Sequence, residues 1–203
     1  MKLLDRLLRD ARIARSRRYV RRGDTVLDVG CADGEMFRRW RGFIRHGTGI
    51  DPTLTERRVT ETFELLPGTF PDAAPHGATY DVITMLAVLE HMPPDVQAKL
   101  ADACDALLRP GGRIVITVPS PRVDDILHLL DRLRLIEGIA MHEHYGFRPT
   151  DTPQIFPPPR FRLLRHQPFQ LGLNNLFVFE KTASSTATPG RTGETQTGRA
   201  RRT

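Results

Sequence analysis

The ten residues TVLDVGCADG at 25–34 restrict the fold more than any other part of the chain. Val26, Leu27 and Val29 are apolar and partly β-branched, as a buried strand requires, and the strand breaks at once into a turn bearing Gly30 and Gly34 before a helical stretch begins. Glycine at those two places lets the backbone adopt conformations closed to other residues and lets a ligand approach it closely. A glycine turn alone is weak evidence. A second strand-like segment at 46–50, however, ends in Asp51, about 20 positions on, where a carboxylate that holds ribose hydroxyls belongs in a nucleotide-binding sheet.

The turn departs from the dinucleotide fingerprint in carrying Asp28 two places before Gly30. In this the chain resembles the class I S-adenosylmethionine-dependent methyltransferases, whose first motif runs hydrophobic-hydrophobic-(Asp/Glu)-x-Gly-x-(Gly/Ala)-x-Gly. GID at 49–51 resembles their second motif, YDVITMLAVLEHM at 80–92 their fourth strand and its exit, and LLRPGGRIVITVP at 107–119 the helix end, turn and fifth strand. The matches fall in the family's order and span residues 25 to 119, nearly half the chain, and they are most similar to the type 11 methyltransferase-domain group, whose members often act on small molecules. The resemblance implies an α/β fold, a Rossmann-like doubly wound sheet of seven mostly parallel strands with an antiparallel last strand. It also implies S-adenosylmethionine as cofactor and methyl transfer to a small-molecule acceptor.

Strand and helix patterns alternate as such a sheet requires. Strands are expected near 25–29, 46–50, 62–66, 80–85, 113–118, 161–167 and 174–180, the last two as a hairpin, and helices near 35–42, 54–60, 95–108 and 122–137. Three regions follow: a basic amphipathic leading helix at 1–22, a methyltransferase domain at 23–182 and a tail at 183–203. The leading helix sets Leu3, Leu4, Leu7, Leu8 and Ala11 on one face and Arg6, Arg9 and Arg12 on the other, and reads as a helix laid against the sheet. The tail is Thr, Ser, Gly and Arg without an aromatic residue, a composition that predicts disorder.

The net charge of +6 sits at the two ends, with +7 in residues 1–22 and +4 in 181–203, which leaves the body at −5. A body of that sign argues against a large nucleic-acid substrate, although the ends offer contacts to anionic lipid or to phosphate. Two distant cysteines, Cys31 and Cys104, do not predict a disulfide. No run reaches the roughly 18 apolar residues of a membrane span, and the N-terminus is too basic for a signal peptide, so a cytoplasmic protein is expected. The sequence fixes no oligomeric state.

Residue roles follow from the resemblance. Asp28 acts near the methionine part of the cofactor, through its amino group directly or by water, or caps the turn. Gly30 and the backbone of Cys31 and Ala32 lie beneath the methionine and ribose, with Gly34 completing the turn. Ala32 stands where the family more often has Gly, and its methyl group is tolerable if its φ is negative. Asp51 accepts hydrogen bonds from the ribose hydroxyls, with an N-cap for the next helix as the alternative. Near adenine, Thr69 and Phe70 stand where many relatives have Gly-Asp; a plain turn residue and a plain core phenylalanine are the alternatives. Met85, Leu86 and Ala87 follow the fourth strand beside the reacting methyl group and offer no acid or base.

No Asn/Asp-Pro-Pro-Tyr/Phe run follows that strand, which argues against adenine and glutamine amino groups as acceptors. Some relatives hold a divalent ion through a Glu and, three places on, a Glu-His pair; here Ala87 precedes Glu90-His91, so no metal is expected. In MHEHYGF at 141–147, His144 is the candidate general base, with a pocket-shaping histidine as the alternative. His128 and His166 read as structural or surface residues. The leading helix and 138–160 are expected to form a lid. The alternatives to a small-molecule enzyme are an RNA methyltransferase steered by the basic ends and a degenerate domain that binds the cofactor without turnover.

Overall fold

Val26, Leu27, Asp28 and Val29 are all buried, so the strand they form is covered on both faces, as strands of a parallel sheet with flanking helices are. The computed structural model describes residues 3–120 and 147–183, with side chains from Arg6 onward. In chain order the elements are α1 (Leu3–Ser16), β1 (Thr25–Val29), α2 (Glu35–Arg39), β2 (His46–Asp51), β3 (Arg58–Val59), β4 (Phe63–Pro67) and β5 (Tyr80–Leu86). They continue with α3 (Pro94–Leu107), β6 (Leu108–Pro119), α4 (Thr152–Ile155), β7 (Phe161–Phe169) and β8 (Asn174–Lys181).

One eight-stranded sheet results, in the order β3-β4-β2-β1-β5-β6-β8-β7. The pairs β2–β4, β1–β2, β1–β5 and β5–β6 are parallel, whereas β8 runs antiparallel to both β6 and β7, and β3 antiparallel to β4. After β1 the chain builds outward through β2 and β4, then returns to the other side of β1 with β5. That reversal opens a crevice at the carboxyl ends of β1 and β5, the place where open α/β sheets bind ligands.

Each face of the sheet carries its own core. Leu27, Val29, Ile83, Met85, Ile114 and Ile116 pack on one face against Leu100 and Cys104 of α3 and against Phe156, while Val26, Val82, Val115 and Val178 pack on the other against Ile13 of α1 and Met36, Phe37 and Trp40. Burial of each large side chain stabilises the fold by about 1.5–3 kcal/mol. No helix among the described residues is long and apolar enough to cross a membrane.

Two expectations change. Residues 54–60 form no helix: Leu54 and Val59 are five apart and leave no apolar stripe to bury, so the segment turns after Asp51 and enters β3, paired Arg58 with Leu65 and Val59 with Glu64. This edge strand brings the sheet to eight strands rather than seven. The expected strand at 113–118 begins earlier, because Tyr80 pairs with Leu108 while Val82 pairs with Arg113, and Pro110 to Gly112 bulge between the two contacts. The helix expected at 122–137 lies outside the described residues, as does nearly all of the tail at 183–203.

Candidate functional site

Where β1 ends, the chain curls through three left-handed residues at alternate positions: Gly30 with φ +77°, Ala32 with φ +46° and Gly34 with φ +79°. Gly30 donates its N–H to Ile50 O at 2.8 Å, which ties the curl to β2. A Cβ on Gly30 would come within 2.3 Å of Val88 Cγ2, so the position demands glycine for both its conformation and its space. Ala32 does not meet the condition of a negative φ under which its methyl group is tolerable without strain. A left-handed alanine costs about 1–2 kcal/mol, and the strain is held by its N–H, donated to Asp51 Oδ2 at 2.7 Å.

Asp51 is 6 % exposed at the end of β2. Its Oδ1 accepts the Thr53 N–H at 2.8 Å and the Thr53 hydroxyl at 2.5 Å, an Asx-type turn in place of the helix cap considered as the alternative. Asp28, on β1, is 4 % exposed, and its Oδ1 accepts the Thr84 hydroxyl at 2.6 Å. Burial pushes the Asp28 carboxyl up to about 7; the Thr84 hydrogen bond works against that rise and the nearby Asp51 charge adds to it. Burial also pushes the Cys31 thiol up, with Asp28 and Asp51 contributing, so Cys31 is a packed thiol rather than a nucleophile.

Among the described residues neither Asp28 nor Asp51 has a salt-bridge partner. Two carboxylates held at adjacent strand ends without a cation suit a ligand that brings positive charge and hydroxyl donors of its own. S-adenosylmethionine, with a sulfonium, an ammonium group and a ribose, fits that donor set, and the curl at 30–34 leaves backbone within reach of it.

The leading helix closes one side of this crevice through contacts that sequence reasoning missed. Arg9 Nη1 lies 3.7 Å from Asp33 Oδ1 in the turn, Arg39 of α2 bridges to Asp10 at 2.7 Å, and Arg12 Nε donates to Asn174 Oδ1 at 3.0 Å. Arg17 stacks over Phe43 at 3.5 Å from the ring centroid. Amphipathic spacing showed the helix but not these partners, which come from residues 33–43 and from β8.

Other expected site residues are placed less uniformly. Phe70 is buried in the core of the α3 face, which is the core alternative, while Thr69 is exposed in the turn after β4 and its carbonyl accepts the Ala73 N–H at 2.9 Å. Met85 is enclosed in the same core as Phe70; Leu86 lies on the opposite face, partly exposed. Ala87 has φ +59° and donates to Thr117 O at 2.9 Å. Glu90 is buried and His91 exposed, and no group of three His, Cys, Asp or Glu side chains among the described residues gathers to hold a metal. His144 and His128 lie outside the described residues. His166 is exposed, stacked on Phe177 at 4.2 Å and 3.2 Å from Asn175 Oδ1, a structural role.

A family model described as a methyltransferase domain matches residues 2–156. The ubiquinone biosynthesis O-methyltransferase of Paraburkholderia phytofirmans is 32% identical over 114 residues, covering 52% of this chain and 48% of that protein, so the chain spans about half the length of the curated relatives it matches. Among solved structures, the YcgJ protein from Bacillus subtilis aligns with a TM-score of 0.62 at 14% identity, covering 86% of this chain and 99% of that one. The magnesium protoporphyrin IX methyltransferase of Synechocystis, solved with S-adenosylhomocysteine bound, aligns with a TM-score of 0.58 at 16% identity over 85% of this chain and 81% of that one. Both likenesses concern the fold.

Proposed function

This chain belongs to the methyltransferase-domain family, and from that premise we propose that it transfers a methyl group from S-adenosylmethionine to a hydroxyl group of a small molecule. The observation that carries the reading is the pair of buried carboxylates, Asp28 and Asp51, flanking the left-handed curl at 30–34. When bound, S-adenosylmethionine supplies a methyl group already activated on a sulfonium. The chain's own residues then bind, orient and exclude water. Asp51 orients the ribose by charge-assisted hydrogen bonds, Asp28 takes the amino group of the methionine part, and the backbone of Gly30, Cys31 and Ala32 forms the floor with Gly34 completing the turn. Thr69 and Leu86 belong to the remaining cofactor wall in this reading, with Phe70 and Met85 packed in the core behind it. The proton of the acceptor hydroxyl passes to His144.

Oxygen is favoured as the methylated atom because the curated relatives are O-methyltransferases. A metal is not part of the proposal, since Ala87 supplies no ligand ahead of Glu90 and His91. The RNA alternative loses support from the leading segment, whose Arg9 and Arg12 of α1 and Arg17 just beyond it are turned into contacts within the chain. Contact with phosphate or anionic lipid through the ends remains a weak, secondary property of the proposal.

Transfer of a labelled methyl group from S-adenosylmethionine, measured across a panel of hydroxylated small molecules and total RNA with and without EDTA, tests this. Small-molecule labelling that survives EDTA is expected. Robust RNA labelling that falls steeply with salt would overturn the acceptor class, and loss of activity restored by Mg²⁺ would overturn metal independence.

A further inference from the structure

Asp28 and Thr84 stand opposite one another in the parallel pairing of β1 with β5, and both side chains leave the sheet on the face covered by α1 and α2. Thr84 is wholly buried beside Met36, whose Sδ lies 3.8 Å from its hydroxyl. An apolar valine of the same outline would suit that neighbourhood as packing. The hydroxyl oxygen lies 2.6 Å from Asp28 Oδ1 and 3.3 Å from Leu27 O, and its single proton goes to the nearer, charged acceptor. Among the described residues only Oδ1 of Asp28 is engaged, which leaves Oδ2 to accept from a ligand.

We propose that Thr84 is a positioning residue for the cofactor: its hydroxyl fixes the rotamer of Asp28 through Oδ1 and holds that carboxylate ionised, so that Oδ2 can receive the ammonium group. The inference rests on the cofactor reading above. The surroundings make the hydroxyl necessary. From β2 the neighbouring charge is Asp51, of like sign; from the turn comes Cys31, a thiol that stays protonated; α2 presents Met36. Of the cations on α1, Arg9 faces Asp33 and Arg12 bonds Asn174. Burial of Asp28 and the Asp51 charge both favour the protonated form, and the Thr84 proton opposes them.

The test is a carbon-13 carboxyl titration of Asp28 by nuclear magnetic resonance on the full, ligand-free chain, paired with calorimetric binding of S-adenosylhomocysteine between pH 6.5 and 9. Asp28 should titrate near 7 in the unaltered chain, about one to two pH units higher in Thr84→Val, and near the original value in Thr84→Ser. Binding by Thr84→Val should be about 3-fold weaker at pH 7.5 for a shift of one unit and about 25-fold weaker for two, and should come within about 2-fold of the unaltered chain by pH 9. Thr84→Ala carries the same comparison if the valine variant does not fold. An unmoved titration midpoint, or a loss of affinity equal at every pH, overturns the positioning role while leaving the cofactor reading intact. Absence of binding by the unaltered chain overturns the cofactor reading itself, and Thr84's role with it.

Discussion

In the proposed reading Asp28 serves a ligand at a cost to the fold. Its carboxyl titrates near 7 when folded and near 3.8 when unfolded, so between those values the folded chain binds a proton that the unfolded chain releases. The stability this contributes is complete below the unfolded value and is lost as pH rises through 7, above which the buried ion is a penalty. Asp28→Asn cannot ionise. It should therefore stabilise the fold at pH 8 by about a few kcal/mol at most, seen as a higher thermal midpoint, with little gain at pH 4, and weaken cofactor binding throughout. Equal shifts at both pH values in thermal unfolding would contradict the assignment. The placement of Asp28 and Asp51 at strand ends and of Gly30 and Gly34 in the turn was legible because strand pattern, turn glycines and spacing coincide within 27 residues of sequence. The left-handed Ala32 was not, since its conformation depends on the Asp51 carboxylate, which folding alone brings to its N–H.

Among the elements, the β7–β8 hairpin carries an evident strain. Gln170 and Leu171 both adopt positive φ, +51° and +57°, and Leu171 is 100 % exposed, so it accepts left-handed strain with no burial in return. Leu171→Asn should stabilise the fold by about 0.5–1 kcal/mol, seen as a higher denaturation midpoint with an unchanged dependence on denaturant, because Asn tolerates this conformation and no packing is lost. A lower midpoint would show that Leu171 makes a contact of its own. The hairpin itself, like β1, β2, β4 and β5, was readable from β-branched and apolar runs bounded by Gly and Asn. Residues 54–60 were misread because polar, helix-compatible residues follow Asp51, and only pairing with β4 decides for a strand. The partners of α1 were equally hidden: amphipathic spacing says which face is buried, not that Arg12 meets Asn174 across 162 residues.

At the scale of the molecule, sheet order and charge converge on one place. The reversal at β1 opens the crevice beside the curl at 30–34, and two carboxylates without a salt-bridge partner among the described residues give it a negative character that matches the body at −5 rather than the basic ends. Those ends are partly spent within the fold, since Arg9 of α1 reaches Asp33 in the turn and Arg12 bonds Asn174 of β8. The central claim is that this crevice is an S-adenosylmethionine site. Calorimetric titration of the intact chain with S-adenosylhomocysteine tests it most directly: one site is predicted, weakened by about 1.5–3 kcal/mol in Asp51→Ala, the range for a hydrogen bond to a charged group. No detectable binding to the intact chain, or binding indifferent to Asp51→Ala, would contradict it.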